Sequence, residues 1–247
     1  MLGRLCGFKF APTKFFGSLI TTEAVSDPSL NTYLAKLFHK PRLDSLVASL
    51  LKFAGKKVSV LIDVGCGKGF LHEYLKNNGF NANMYLGCDV DKQALQKTTK
   101  IERVLCDVQY LPFKENIAEV VVCSEVLEHT AHPNLGFSEL LEISKQWLIV
   151  SFPEEKLKNA LGFRYPEHIS EPSAAEFKHL AKKKNFELLK MEKKYFAFPP
   201  SVFDKLRLSY AAFYRPIIMF LFRWLSMILR EFSLMKTVQL IFKHKEF

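Results

Sequence analysis

Residues 58–64, VSVLIDV, are apolar and β-branched, and they run directly into glycines at 65, 67 and 69 before helical spacing resumes from Phe70 to Asn77. A strand that ends in a GxGxG turn and continues as a helix leaves few folds open. Glycine lets the backbone turn left-handed and approach a ligand closely, and the first turn of a helix offers N–H groups with no partner of their own. The segment predicts a ligand at the carboxyl end of a buried parallel strand.

The same rhythm recurs along the chain. Met84 to Cys88, Ile101 to Cys106, Glu119 to Cys123 and Trp147 to Phe152 read as further strands, the last closed by Pro153. Lys92 to Lys97 and Phe137 to Ser144 carry helical spacing between them. A helix with Pro172 near its start holds Phe177, Leu180 and Ala181, and Phe186 to Met191 and Thr237 to Phe242 supply two more strands. Alternation of this kind implies an α/β domain with a largely parallel sheet covered on both faces. The expected organisation is a helical lead-in over residues 1–55, split by Pro41, then a core over 56–198. An apolar, basic insertion over 199–236 and a closing strand over 237–247 complete it.

The identity of the ligand follows from the acids around the turn. A dinucleotide fingerprint places its third glycine one residue later, where Phe70 stands, and Asp63 at the strand end is a poor neighbour for pyrophosphate. A cationic nucleotide-like ligand fits better, and S-adenosylmethionine carries both a sulfonium and an ammonium group. Twenty residues after Gly69, Asp89 is placed to accept hydrogen bonds from both ribose hydroxyls. Asp107 follows the third strand, where it can meet an adenine amino group, with Val108 beside it for the base. Each acid alone has an ordinary reading as a turn or helix-cap residue.

Taken in order and spacing, IDVGCGKG (62–69), GCDVD (87–91), CDVQYLPF (106–113) and SEVLEH (124–129) resemble the class I S-adenosylmethionine-dependent methyltransferases, especially the ubiquinone and menaquinone biosynthesis branch. The resemblance covers about residues 40–195 and the closing strand. It implies a Rossmann-like, seven-stranded, mostly parallel sheet with helices on both faces, a final antiparallel strand and a helical insertion before it. It also makes Asp63, Gly65, Gly67, Asp89, Asp107 and Val108 cofactor contacts. Cys66, Gly69 and Val90 lie in the same segments, and Ser124 and Glu125 end the fourth strand, so they complete the expected cofactor-binding set. Ala118-Glu119 departs from the usual Phe-Asp of that family, a change read as structural.

The fourth strand ends without the Pro-Pro-aromatic signature of amide and base-nitrogen methylation, and without a Pro-Cys nucleophile. A small-molecule acceptor, methylated on oxygen or carbon, is the leading expectation. Methylation of a protein or RNA, or cofactor binding without catalysis, are the alternatives. His129 is the first candidate for a proton acceptor, with His132 and His168 behind it, although a histidine there also reads as a helix cap. Glu125, Glu128 and His129 have i, i+3, i+4 spacing suited to a cation. One of those carboxylates is expected at the cofactor and the other in solvent, and no metal is assigned. Cys66, Cys88, Cys106 and Cys123 fall near four strand ends and read as small packing residues.

Residues 1–155 hold 17 basic and 17 acidic side chains, whereas 156–247 hold 18 and 8, so the whole net charge of +10 lies in the C-terminal part. In 199–236, Arg223 and Arg230 mark a narrow polar stripe on an otherwise apolar helix. Three readings stay open for that helix: a cap over the acceptor pocket, a subunit contact, or a segment lying in an anionic membrane surface. A lipid-like acceptor suits the last. The lysine-rich stretch 178–194 has Phe186 as its one aromatic ring of the Phe, Tyr or Trp kind, too few for a run of stacked bases, which argues against nucleic acid. Five scattered cysteines and no signal-peptide apolar run point to a cytoplasmic protein, peripheral on a membrane at most.

Overall fold

The computed structural model describes residues 33–97, 101–154, 167–196 and 235–246. In chain order these form α1 (Tyr33–Phe53), β1 (Lys57–Val64), α2 (Phe70–Asn77), β2 (Asn81–Asp89), α3 (Lys92–Lys97), β3 (Glu102–Leu105) and β4 (Ala118–Ser124). A single 3₁₀ turn (Leu127–His129) leads to α4 (Pro133–Ile143), β5 (Ser144–Glu154), α5 (Ala174–Lys183), β6 (Phe186–Phe196) and β7 (Met235–His244). The strands make one sheet in the order β3-β2-β1-β4-β5-β7-β6. β1 to β5 pair in parallel, and β7 runs antiparallel between β5 and β6.

Strand order reverses at β1. The chain builds outward through β2 and β3, then returns to place β4 on the other side of β1. In open α/β sheets, ligands bind outside the carboxyl ends of the strands at such a reversal. The glycine turn that follows β1 therefore stands at the crevice the topology creates.

Period-two alternation sorts each central strand between two cores. Ile62, Val121, Leu148, Val150, Leu240 and Phe242 face one layer. There Phe137 of α4 stacks on Phe177 of α5, with ring centroids 4.2 Å apart and planes 7° from parallel. Leu61, Val120, Val122, Ile149 and Ile241 face the other, which is filled by Leu43, Leu46, Val47 and Leu50 of α1 and Leu71 and Leu75 of α2. Glu119, the residue that departs from the family pattern, accepts a hydrogen bond from the Ser59 amide at 2.7 Å, so its carboxylate ties β4 to β1 at their amino ends.

Two prolines behave differently from expectation. Pro41 does not split the N-terminal helix: α1 runs unbroken from Tyr33 to Phe53. A proline inside a helix costs about 3 kcal/mol. Pro41 is exposed, and the turns after it bury four aliphatic side chains worth about 1.5–3 kcal/mol each, so packing outweighs the lost hydrogen bond. Pro153 does not close β5 either. It pairs with Thr237 and the strand continues to Glu154, because β4 pairing has already ended at Ser151 and Pro153 has a neighbour on one side only.

α4 begins at Pro133, a turn before the expected start, and Ser144 is the first residue of β5. Residues 197–234, between β6 and β7, hold nearly all of the basic apolar insertion, which lies outside the described residues. Among the described residues no helix is long and apolar enough to cross a membrane.

Because α1 fills one of the two cores, it belongs to the domain itself. Truncating Leu50, which is fully buried, to Ala is expected to lower the unfolding free energy by about 2–5 kcal/mol in urea denaturation with an unchanged slope. A loss under about 0.5 kcal/mol is what a merely attached helix would give.

Candidate active site

The turn after β1 is held by hydrogen bonds from its backbone amides. Gly65, Gly67 and Gly69 all have left-handed backbone, with φ of 77°, 52° and 78°. The Gly65 and Cys66 amides both donate to the Cys88 carbonyl, at 2.7 and 3.0 Å, which pins the turn to the end of β2. A Cβ on Gly65 would stand 2.1 Å from Cγ2 of Val126, so this position is filled from the β4 side. A Cβ on Gly67 would meet nothing within 4 Å. Gly67 thus presents bare backbone to open space above the first turn of α2.

Asp89 completes the cradle. Its Oδ2 accepts from the Gly67 amide at 2.8 Å and its Oδ1 from the Asp91 amide at 2.8 Å. Burial raises its pKa above the usual carboxylate range, although the amides of Asp91 and Gly67 favour the ionised form. Next to it Val90 is 72% exposed, an apolar side chain at the mouth of the crevice. Asp107 follows β3 in an Asx turn, its Oδ1 accepting from the Gln109 amide at 2.8 Å. Val108, beside it, is 5% exposed, and its side chain packs in the core near Leu127 and Gly136.

Asp63 lies deeper than the sequence indicates. It is 3% exposed, and its Oδ2 accepts from the Tyr85 hydroxyl at 2.8 Å. Burial pushes its carboxyl up to about 7, while the Tyr85 hydrogen bond and the charge of Arg42 act in the other direction. Arg42 reaches this region from α1, with Nη1 3.8 Å from Oε1 of Glu125. Neither Arg42 nor Tyr85 was singled out from the sequence. A signal for Arg42 exists, since it shares a helical face with Leu46 and Leu50 at i, i+4 and i+8.

Glu125 is not on a helical face with Glu128 and His129. Its φ is 59°, a left-handed conformation that costs a non-glycine residue about 1–2 kcal/mol. The turn directs its carboxylate to the end of β5, where the Ser151 hydroxyl donates to Oε1 at 3.2 Å. The Ser124 and Ser151 hydroxyls are 2.7 Å apart beside it.

Glu128 is not solvated either, at 1% exposed. His129 follows it in the 3₁₀ turn, and its Nδ1 lies 2.9 Å from the Glu167 carbonyl. A carbonyl only accepts, so Nδ1 carries the proton and Nε2 keeps its lone pair. Burial lowers the His129 pKa, which favours the neutral ring. His168 stands against it with ring centroids 4.9 Å apart.

The thiols read as packing residues. Cys66, Cys88 and Cys123 are buried and Cys106 is half-buried. The Cys88 thiol is held well above the usual range by its hydrogen bond with Cys106 and by burial, and burial likewise raises Cys66 and Cys123.

A doubly covered sheet with an antiparallel β7, and a left-handed glycine turn tied to an acid at the reversal of strand order, define the architecture of a class I methyltransferase. The chain belongs to the methyltransferase domain family, which matches residues 33–191, and so to the S-adenosylmethionine-dependent class I methyltransferases.

An uncharacterised protein of Methanocaldococcus jannaschii is 38% identical over 81 residues, 32% of this chain and 34% of that protein. A human mitochondrial arginine-hydroxylase is 30% identical over 89 residues, 34% of this chain and 25% of that protein. The matches therefore span about a third and a quarter of these relatives' lengths. Magnesium protoporphyrin IX methyltransferase of Synechocystis PCC 6803, crystallised with SAH, superposes with a TM-score of 0.60 at 16% identity, over 87% of this chain and 88% of that one. The cyclase SpnF gives 0.57 at 18%, over 82% and 79%. These two likenesses are of fold, and they join a methyltransferase and a cyclase on one scaffold.

The raised Asp63 pKa carries a pH dependence. A carboxyl that titrates near 7 when folded and near 3.8 when unfolded binds its proton more tightly in the fold. Its contribution to stability is therefore complete below the unfolded value and is lost as pH rises toward about 7. Relative to Asp63→Asn, the cofactor-free wild type should lose up to about 4 kcal/mol between pH 4 and 8, read by urea unfolding at each pH. Parallel stability curves for the two proteins would remove this assignment.

Proposed function

We propose that this protein transfers the methyl group of S-adenosylmethionine to an oxygen or carbon of a small hydrophobic or lipid-like acceptor. The observation that carries the cofactor half of the reading is Gly67. Its left-handed backbone faces open space, its amide is held by Asp89, and the first turn of α2 begins three residues later. The crevice fits the donor in charge as well. Asp63, Asp89 and Glu125 surround it with carboxylates suited to a ligand bearing sulfonium and ammonium groups, and Asp89 keeps lone pairs for ribose hydroxyls.

When bound, the donor supplies a methyl group on a positive sulfur, and in-line attack by a nucleophile neutralises that charge. The protein's task is then to align the two reactants and keep water out. Asp89 and Asp107 fix the nucleoside end, Gly65, Cys66, Gly67 and Gly69 supply the close backbone approach, and Ser124 and Glu125 line the end of β4. His129, with its protonated Nδ1 anchored on Glu167, keeps the Nε2 lone pair that can take a hydroxyl proton from the acceptor.

Support for an apolar acceptor comes from the same edge of the sheet. Val90 and Tyr110 follow the carboxyl ends of β2 and β3, Leu105 ends β3 and Ile169 adjoins His168, and all four are exposed side chains that an apolar acceptor could cover. The basic apolar segment 199–236 adds sequence-level support for a lipid-like acceptor reached from an anionic membrane surface.

Two measurements test the reading. Asp89→Ala should weaken S-adenosylmethionine binding about 10- to 100-fold in calorimetric titration while the fold is retained, and equal affinity would remove the site assignment. Label from methyl-labelled donor, incubated with the enzyme and a cell extract, should appear in the organic-extractable fraction. Label confined to protein or RNA would overturn the acceptor class.

A further inference from the structure

β1 brings Asp63 to the crevice, and the register of its neighbour decides what stands beside that carboxylate. Asp63 lies opposite Gly87 of β2, and Leu61 lies opposite Tyr85. A Cβ at Gly87 would stand 2.7 Å from Sγ of Cys66, so the position facing Asp63 is closed to a larger residue. The Tyr85 ring, two residues back on the same face of the sheet, reaches Asp63 instead, and its hydroxyl donates to Oδ2 at 2.8 Å. Tyr85 belongs to the core layer that holds Leu61, Leu71 and Leu75, and phenylalanine would fill the same volume there. A buried hydroxyl costs free energy unless it is bonded, so the oxygen on this ring answers to Asp63 and not to packing.

We propose that Tyr85 is a positioning residue for the donor: its hydroxyl holds one oxygen of Asp63 so that the other receives the ammonium group of S-adenosylmethionine. This role rests on the donor reading above and adds to it the residue that orients the acid.

Two properties of the bond suit the role. It fixes the carboxylate about its last torsion, which is broad and roughly two-fold when nothing holds it. It also favours charge. Burial pushes the Asp63 carboxyl up to about 7, and the Tyr85 hydroxyl opposes that by donating to the ionised form. The hydroxyl itself stays protonated, because burial and the charge of Asp63 hold its pKa well above the usual range. Of the groups around them, Arg42 of α1 favours ionisation of Asp63 and Asp89 of β2 opposes it. Cys66 in the turn, Cys88 of β2 and Cys123 of β4 are thiols kept neutral by raised pKa values. Glu125 after β4 stands 3.8 Å from Arg42, and His72 of α2 meets the Tyr85 ring edge-on with centroids 4.7 Å apart. Donor binding is then coupled to a proton: below about pH 7 Asp63 carries one, which must leave before the carboxylate can pair with an ammonium group.

The test is calorimetric titration of the full-length protein with S-adenosylmethionine from about pH 5.5 to 9, in wild type, Tyr85→Phe, Asp63→Asn and the double variant. Wild-type affinity is expected to fall about tenfold per pH unit below about 7. Without the hydroxyl the fall should begin about one to two pH units higher, so that Tyr85→Phe binds about 10-fold or more weakly at neutral pH and recovers toward wild type as pH rises. Asp63→Asn keeps the other charges, and in that background Tyr85→Phe should change nothing further. 5′-Methylthioadenosine, which lacks the amino-acid portion of the donor, should bind wild type and Tyr85→Phe alike at every pH. Should Tyr85→Phe not fold by circular dichroism, Tyr85→Met, which also lacks the hydroxyl and adapts to the space, is read in the same way. Equal affinities throughout, a loss independent of pH, a loss that persists in Asp63→Asn, or one shared by methylthioadenosine would each overturn the proposal and leave the cofactor reading standing. Wild type that binds neither compound would sink both.

Discussion

The crevice depends on how the ends of β1 and β2 are joined. Two consecutive amides of the glycine turn converge on one carbonyl, that of Cys88, and a third is taken by the Asp89 carboxylate one residue further on. Parallel strands present their carboxyl ends side by side, so a turn leaving one strand can use acceptors at the end of its neighbour. The price is conformational: three left-handed residues within five, which glycine alone adopts without strain. In return, the first turn of α2 is positioned with its N–H groups toward the cleft.

Around that frame the protein concentrates charge where water is scarce. Asp63 and Glu128 are almost wholly buried, Glu125 stands in a strained backbone conformation, and Arg42 comes across from α1 to balance them in part. Burying carboxylates in this way opposes folding unless something compensates, and such sites are commonly where ligands bind. The first helix therefore has two roles: Leu46 and Leu50 pack one core while Arg42, on the same face, reaches the site.

Much of this was legible in the chain. The strand-turn-helix at 58–77, the acid twenty residues beyond Gly69, the run of alternating elements and Lys92–Lys97 as a helix all stand where local pattern put them. What was missed has specific causes. Pro41 and Pro153 are breakers by local rule, but one lies on an exposed face of a well-packed helix and the other where β5 has lost its β4 neighbour. Glu125 has helical spacing with Glu128 and His129 in the sequence, whereas its left-handed backbone sends its carboxylate to Ser151.

By itself the sequence determined the order of elements, the left-handed turn and the acids beside it, because hydrophobic period, glycine conformation and short spacings are local properties of a chain. Only the tertiary structure decided which distant residues meet. Arg42 with Glu125, Tyr85 with Asp63, and His168 with Glu128 and His129 are juxtaposed by strand register and by hydrogen bonds between loops. Those relations depend on how the sheet is assembled, and no stretch of sequence contains them.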